Sequence, residues 1–189
     1  YNNVGDIISW RNAQGSFEYA KLGINGTVIY GRGVYDTDSP IYQAVHNPKK
    51  NTLKLTDKLK DQILYGVTIR GEKVVAIDNY LTVDNPSTTI NANGYSITTS
   101  NELEGFVVGK TSNNKAKVLN LKNVREITGF DGALINKGGK ISTSATNFNN
   151  NETTENGAVA RNYDGSTSLT MSGSSKSHAV VRNNKANKN

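Results

Sequence analysis

Three short phrases in the second half of the chain are versions of one another. They are GALINKGG (Gly132–Gly139), GAVARN (Gly157–Asn162) and HAVVRN (His178–Asn183), and their starts lie 25 and then 21 residues apart. Each opens on a small or polar residue, continues with aliphatics and ends in polar or basic residues. Self-similarity at a spacing of roughly 20 to 50 residues is the mark of repeat architectures, in which one unit buries its apolar side only against the next. The phrases therefore predict a β-solenoid.

The rest of the chain agrees with strands. From Tyr65 onward it breaks into short stretches such as YGVTIRG, KVVAIDNYLTV, TTINANGYSITTS, GFVVGKT, AKVLNLKNV, KISTSATNF and SLTMSG. Most are rich in β-branched residues and bounded by Gly, Asn, Asp or Ser, the signature of strands joined by turns. Strands this short and closely spaced suit a right-handed parallel β-helix, in which successive coils stack at about 4.8 Å. Leu119 and Leu121 alternate and are expected to face inward in one coil, with Ile141 and Leu169 succeeding them in later coils. The asparagine runs NFNNN (Asn147–Asn151) and RNN (Arg182–Asn184) fall where corners are expected. Asn tolerates the left-handed backbone, and stacked amides can hydrogen-bond from coil to coil.

Two regions follow from this reading. Residues 1–64 form an irregular N-terminal cap with the first strands, and residues 65–189 form the coils of one continuous domain. Within the cap, DIISWRNAQGSFEYAKLG is read as a short helix or irregular segment, and GTVIYGRGVYDTDSPIYQAV as one or two strands. Leu53 and Leu55 alternate as in a strand, with Leu59 starting a helical turn. The chain begins at Tyr1 and ends in NNKANKN, and is read as a fragment of a longer protein.

Composition narrows function by exclusion. Cysteine is absent, so neither a disulfide framework nor a thiolate metal site is available. No apolar stretch reaches the ~18 residues of a membrane-spanning helix, so membrane insertion is not expected. The formal net charge of +6 attracts anionic partners at long range. The basic residues are spread along the chain without a recognised nucleic-acid module, which argues against nucleic acid.

Several phrases resemble a known family. FNNNETTENGAVARN resembles the F-x-N-N…G-G-A repeat of autotransporter-type β-helices. TTINANGYSIT, and VLNLKNV followed by GALIN, are similar to the coils of pectate-lyase-like adhesive domains in Gram-positive surface proteins, including the binding regions of lactobacillar serine-rich repeat adhesins. The family's paired corner glycines are never both present: Asp131 precedes Gly132, Asn156 precedes Gly157, and the third phrase reads Ser177-His178. The resemblance implies an extracellular, cell-wall-associated adhesin that binds a host or environmental glycan or mucin-type ligand, acidic polysaccharide above all. Self-association and a structural stalk are alternative roles.

Enzymes of the same fold, the polysaccharide lyases and hydrolases, supply a further alternative. They work with clustered carboxylates, an Asp-Asp pair or a Gly-His-Gly phrase, and this chain has neither of the last two. Asp36 and Asp38 are its nearest acidic pair and read more simply as a turn before Ser39-Pro40. EGFVVGKT (Glu104–Thr111) misses the first glycine of a phosphate-binding loop. His46 and His178 lie far apart, without the pattern of a metal site or triad. No catalytic residue, cofactor or metal is therefore expected.

The expected ligand-binding residues are Lys110, Arg161, Tyr163 and Arg182. Arg161 and Arg182 occupy the same place in successive phrases, with Asn136 one phrase earlier. On stacked coils they would form a basic column for carboxylates or sulfates, extended by Lys110. Tyr163 would offer a ring to a sugar. The same charges would equally serve as an edge that discourages aggregation.

Overall fold

The computed structural model describes residues 7–11, 17–22, 28–32, 40–55, 67–69, 72–77, 81–99, 103–163, 168–173 and 179–186. Strands dominate, with one short helix. β1 (Ile7–Arg11), β2 (Phe17–Leu22) and β3 (Val28–Arg32) form an antiparallel sheet of their own. The region expected to hold a short helix or irregular cap thus forms an antiparallel strand pair, with Trp10 in register with Glu18. Phe17 and Tyr19 alternate with Glu18 in the period of a strand.

The helix lies further on, where strand was expected: α1 spans Pro40–His46. Proline at the first helical position is pre-set for the turn, and Ile41, Ala44 and Val45 recur at i, i+3 and i+4. All three are fully buried. The last turn is closed from outside the helix. Asp84 N–H donates to Val45 O at 2.8 Å, and Asn85 Nδ2 donates to Ala44 O at 2.8 Å and Asn47 O at 3.2 Å. β4 (Thr52–Lys54) follows, then β5 (Val67–Ile69) and β6 (Glu72–Ile77). Leu59 lies outside the described residues.

From Leu81 the strands come in triplets. The first is β7 (Leu81–Thr82), β8 (Ser87–Asn91) and β9 (Ser96–Thr99), and the second is β10 (Phe106–Val108), β11 (Val118–Lys122) and β12 (Ile127–Thr128). The third is β13 (Leu134–Asn136), β14 (Lys140–Ser144) and β15 (Phe148–Asn149), followed by an extra strand β16 (Glu152–Thr153). The fourth is β17 (Ala160–Asn162), β18 (Ser168–Ser172) and β19 (Val181–Arg182), and β20 (Lys185–Ala186) pairs with β16. Each triplet places one strand in each of three sheets, always in the same rotation. The first sheet runs β7-β10-β13-β17, the second β4-β8-β11-β14-β18 and the third β5-β6-β9-β12-β15-β19. Every pairing in them is parallel except that of β5 with β6.

The inner columns make the core. In the second sheet Thr88, Leu119, Ile141 and Leu169 stand in register, and so do Ile90, Leu121, Thr143 and Met171. The succession from Leu119 to Ile141 to Leu169 is the one expected from the sequence. Phe106 and Leu134 from the first sheet and Ile97, Ile127 and Phe148 from the third join the same apolar cluster, with the buried face of α1. Thr143 is the misfit in this core, since its buried Oγ1 has no hydrogen-bond partner.

Corners are set by residues able to take positive φ. Where the chain leaves the second sheet, Asn123 (φ 54°) and Ala145 (φ 47°) occupy equivalent places, one after Lys122 and one after its partner Ser144. Where it leaves the third sheet, the equivalents are Gly129 (φ 83°), Asn150 (φ 54°) and Asn183 (φ 52°). At Gly129 only glycine fits, because a Cβ would stand 2.2 Å from Thr99 O.

One residue further on, an amide ladder ties the layers together. Asn151 Oδ1 accepts from Phe130 N–H at 3.1 Å while its Nδ2 donates to Ile127 O at 2.9 Å. Asn184 repeats the arrangement one layer on, accepting from Asn151 N–H at 3.0 Å and donating to Phe148 O at 3.1 Å. The amides also meet directly, Asn151 Nδ2 to Asn184 Oδ1 at 2.9 Å. Both asparagine runs therefore do what the sequence led us to expect of them.

Two stability predictions follow from these misfits. Ala145 holds a left-handed conformation that costs an L residue roughly 1 kcal/mol or more. Ala145→Gly is expected to raise stability by about 0.5–1 kcal/mol, a melting-temperature gain of about 2–3 °C for a chain this size, whereas Asn123→Ala lowers it. Thr143→Val removes the unsatisfied buried hydroxyl and is expected to gain about 1 kcal/mol, read from the urea midpoint at unchanged m-value.

Candidate functional site

The expected basic column does not form. Strand pairing sets Arg161 opposite Ile135, and Asn136 opposite Asn162, so the two phrases are offset by one residue from their gapless alignment. A slip of one residue moves a side chain to the other face of its sheet. The third phrase lies in another sheet altogether, with Val181 opposite Phe148 and Arg182 opposite Asn149. Arg161 and Arg182 thus belong to different columns.

Each arginine is also occupied. Arg161 is only 8% exposed; its Nη2 donates to Asp131 O at 2.7 Å and lies 3.5 Å from Asp131 Oδ1, and its buried Nε has no partner. Gly132 makes the room, for a Cβ there would stand 2.3 Å from Arg161 Nη2. The glycine phrase and the arginine on the neighbouring strand of the same sheet are therefore one packing unit. Arg182, on the surface, donates to Glu126 Oε1 at 2.6 Å. Asn136 is buried and braces a turn, accepting from Gly139 N–H at 2.7 Å and donating to Ser168 O at 3.1 Å.

Lys110 and Tyr163, in contrast, share one corner, where the chain passes from the first sheet to the second. In the second layer this corner is a small projecting hairpin. Lys110 bridges Ala116, and Thr111 N–H donates to Lys115 O at 2.8 Å. In the third layer it is the tight turn Lys137-Gly138-Gly139-Lys140, with Gly138 at φ 99°. Lys110 lies across Gly138, where a Cβ would stand 2.5 Å from its Cε. In the fourth layer Tyr163 N–H donates to Asn136 O at 2.9 Å, and the Tyr163 ring is 59% exposed. Lys137 Nζ stands 5.6 Å from the centre of that ring.

Layer upon layer, the corner gathers Lys110, Lys115, Lys117, Lys137 and Lys140 beside one tyrosine. Lys117 is partly committed, donating from Nζ to Val83 O at 3.0 Å, while Lys115, Lys137 and Lys140 are exposed. The arrangement suits an anionic polymer. Several ammonium groups act together, and the ring gives an apolar surface to which a cation already adheres with about 0.5–1 kcal/mol. Of these lysines only Lys110 was singled out from the sequence. Aligning the residues at the start of each second-sheet strand, AKV at β11 and GGK at β14, would have found Lys117 and Lys140.

His46 and Asp84 serve the fold. His46 Nδ1 pairs with Asp84 Oδ2 at 2.5 Å, with the Tyr42 ring 4.1 Å from the imidazole, and ties α1 to the turn after β7. Asp36, Asp38 and His178 lie outside the described residues. Among the described residues no cluster of three His, Asp or Glu side chains is placed to hold a metal ion. No described helix is long and apolar enough to cross a membrane.

Arg161→Ala is expected to lower stability by about 2–4 kcal/mol, because it empties a buried site and strips Asp131 of its partner. Arg182→Ala, which breaks an exposed pair, is expected to cost no more than about 1 kcal/mol. Thermal melting of the two variants side by side checks the contrast. No protein-family model, no curated protein and no solved structure matches this chain.

Proposed function

We propose that the chain is a stretch of right-handed parallel β-helix, of the pectate-lyase-like kind, from a bacterial cell-surface adhesin, and that it binds an acidic polysaccharide at the corner between its first and second sheets. The strand triplets, the stacked asparagines and the left-handed corner residues support the architecture. The lysine cluster beside Tyr163 carries the binding reading, with Lys137 and Lys110 replacing the arginines as its cationic centre. A polymer lying along the corner meets a cation in the second layer and another in the third. In the fourth it meets the ring, so the contact rewards a long ligand over a monosaccharide.

Affinity electrophoresis or calorimetry with a polyuronate tests this. Lys137→Ala and Tyr163→Ala are each expected to weaken binding about three- to fivefold, as for loss of one exposed ionic or stacking contact, with melting temperature nearly unchanged. Raising the salt should weaken binding further, because exposed charges are screened over about 8 Å at physiological ionic strength. Wild-type binding in both variants would remove the corner from consideration. New unsaturated or reducing ends in the polyuronate would replace the adhesin reading by a lyase or hydrolase.

A further inference from the structure

The outer face of the second sheet has a composition that the core does not require. Its inner columns are mostly apolar, so by alternation the positions between them point away from the core. The central outer rank is Thr52, Thr89, Asn120, Ser142 and Thr170, aligned by strand pairing. Every member is small and carries a hydroxyl or an amide. Asn120 Nδ2 reaches Thr89 Oγ1 at 3.4 Å, so neighbouring members of the rank align their polar groups.

The two flanking ranks carry the charge. Lys54 and Lys122 stand two strands apart on one side, with Asn91 between them. Lys140 stands on the other side, where the face meets the basic corner. All three lysines are exposed, and no position in the three ranks is Asp or Glu. Arg161, Arg182 and Lys185, by contrast, each meet a carboxylate elsewhere on the molecule. The lysines of this face are thus set against a neutral, hydrogen-bonding strip and not against acids.

We infer that this face is a second track for the acidic polysaccharide, lying beside the corner along the second sheet. The polymer runs across the strands, its hydroxyls on the Thr/Asn/Ser rank and its carboxylates or sulfates on the lysines at either side. Five strands at ~4.8 Å span about 19 Å, which sets the length of ligand that the face can hold. The inference rests on the acidic-polysaccharide reading and adds to it the surface on which the chain lies.

The test is polyuronate binding to the whole chain, together with a length series of oligouronates. Ser142→Glu sets an anion in the middle of the strip and is expected to weaken binding about tenfold. The double variant Lys54→Ala/Lys122→Ala is expected to weaken it roughly five- to tenfold, the worth of two exposed ionic contacts. Affinity should rise with oligomer length until the ligand spans about 19 Å and then level off. All the substituted side chains lie on the solvent side, so unchanged melting temperatures show that the fold is kept.

Wild-type affinity in both variants, with loss in Lys137→Ala and Tyr163→Ala, overturns the track and leaves the corner standing. Equal affinity for an uncharged polyglucan overturns the role given to Lys54, Lys122 and Lys140. Failure of the wild-type chain to bind polyuronate overturns the functional reading and the track with it.

Discussion

Parallel pairing in register is the constraint on which the rest of the molecule depends. Each strand must arrive beside its predecessor with the right residues facing the core, because a slip of one position exchanges inside for outside. The segments between pairings are nevertheless unequal: Val118 to Lys140 is 22 residues and Lys140 to Ser168 is 28. Corners absorb the difference. A projecting hairpin after Gly109 becomes the tight Gly138-Gly139 turn one layer later, and left-handed Asn, Gly or Ala residues close the other bends. The asparagine amides then hold the layers at that spacing, doing for backbone N–H and C=O groups at the bends what the strand ladders do elsewhere.

The same constraint sorts the charges. A cation that falls on a crowded face must be given partners and space, and Arg161 has both, Asp131 for its Nη2 and the missing side chain of Gly132 for its bulk. Its Nε goes without, which is a cost the site carries. The exposed lysines Lys137 and Lys140 meet no such demand. Lys137 and Lys140 flank a turn whose shape is fixed by glycine and by the Asn136 amide, so their own side chains are left to the solvent and to Tyr163. The fold thus divides the basic residues: the arginine serves packing, and the lysines of the bends give the surface its charge.

How much of this was legible follows from period and from length. The alternation of Leu119 and Leu121, and their succession by Ile141 and Leu169, was readable because side-chain period in a strand is two whatever the surrounding loops do. The asparagine bends were readable because few residues tolerate positive φ. The Asn136, Arg161, Arg182 column was not, for it assumed that similar phrases are equivalent positions. Between GALIN and GAVARN the structure inserts a shift of one residue, and HAVVRN pairs with Phe148-Asn149. A phrase reports that a bend and a strand follow each other. It carries no count of the residues the intervening bends consume, and so cannot fix the column to which an arginine belongs. Helix α1 was missed for a related reason, its Tyr and Val suggesting strand while seven residues give the i, i+3, i+4 pattern only one cycle.

Stability is also graded along the stack, and the grade bears on the proposed binding. At the α1 side the core residues Ile41, Val45, Leu55 and Ile90 are all fully buried. In the fourth layer the same columns thin out: Leu169 is only partly buried, Met171 is 37% exposed and Val181 is 55% exposed. Beyond the strand ladders, that layer is tied to the third by amides and ion pairs, such as Asn183 to Asn149 and Lys185 to Glu152, which are worth little each in water. Local opening therefore favours this end. Tyr163 stands on it, while Lys137 and Lys110 stand on the layers beneath. A polymer that touches all three residues ties the least stable layer to the more stable ones, and its binding free energy is in part the free energy of keeping that layer closed.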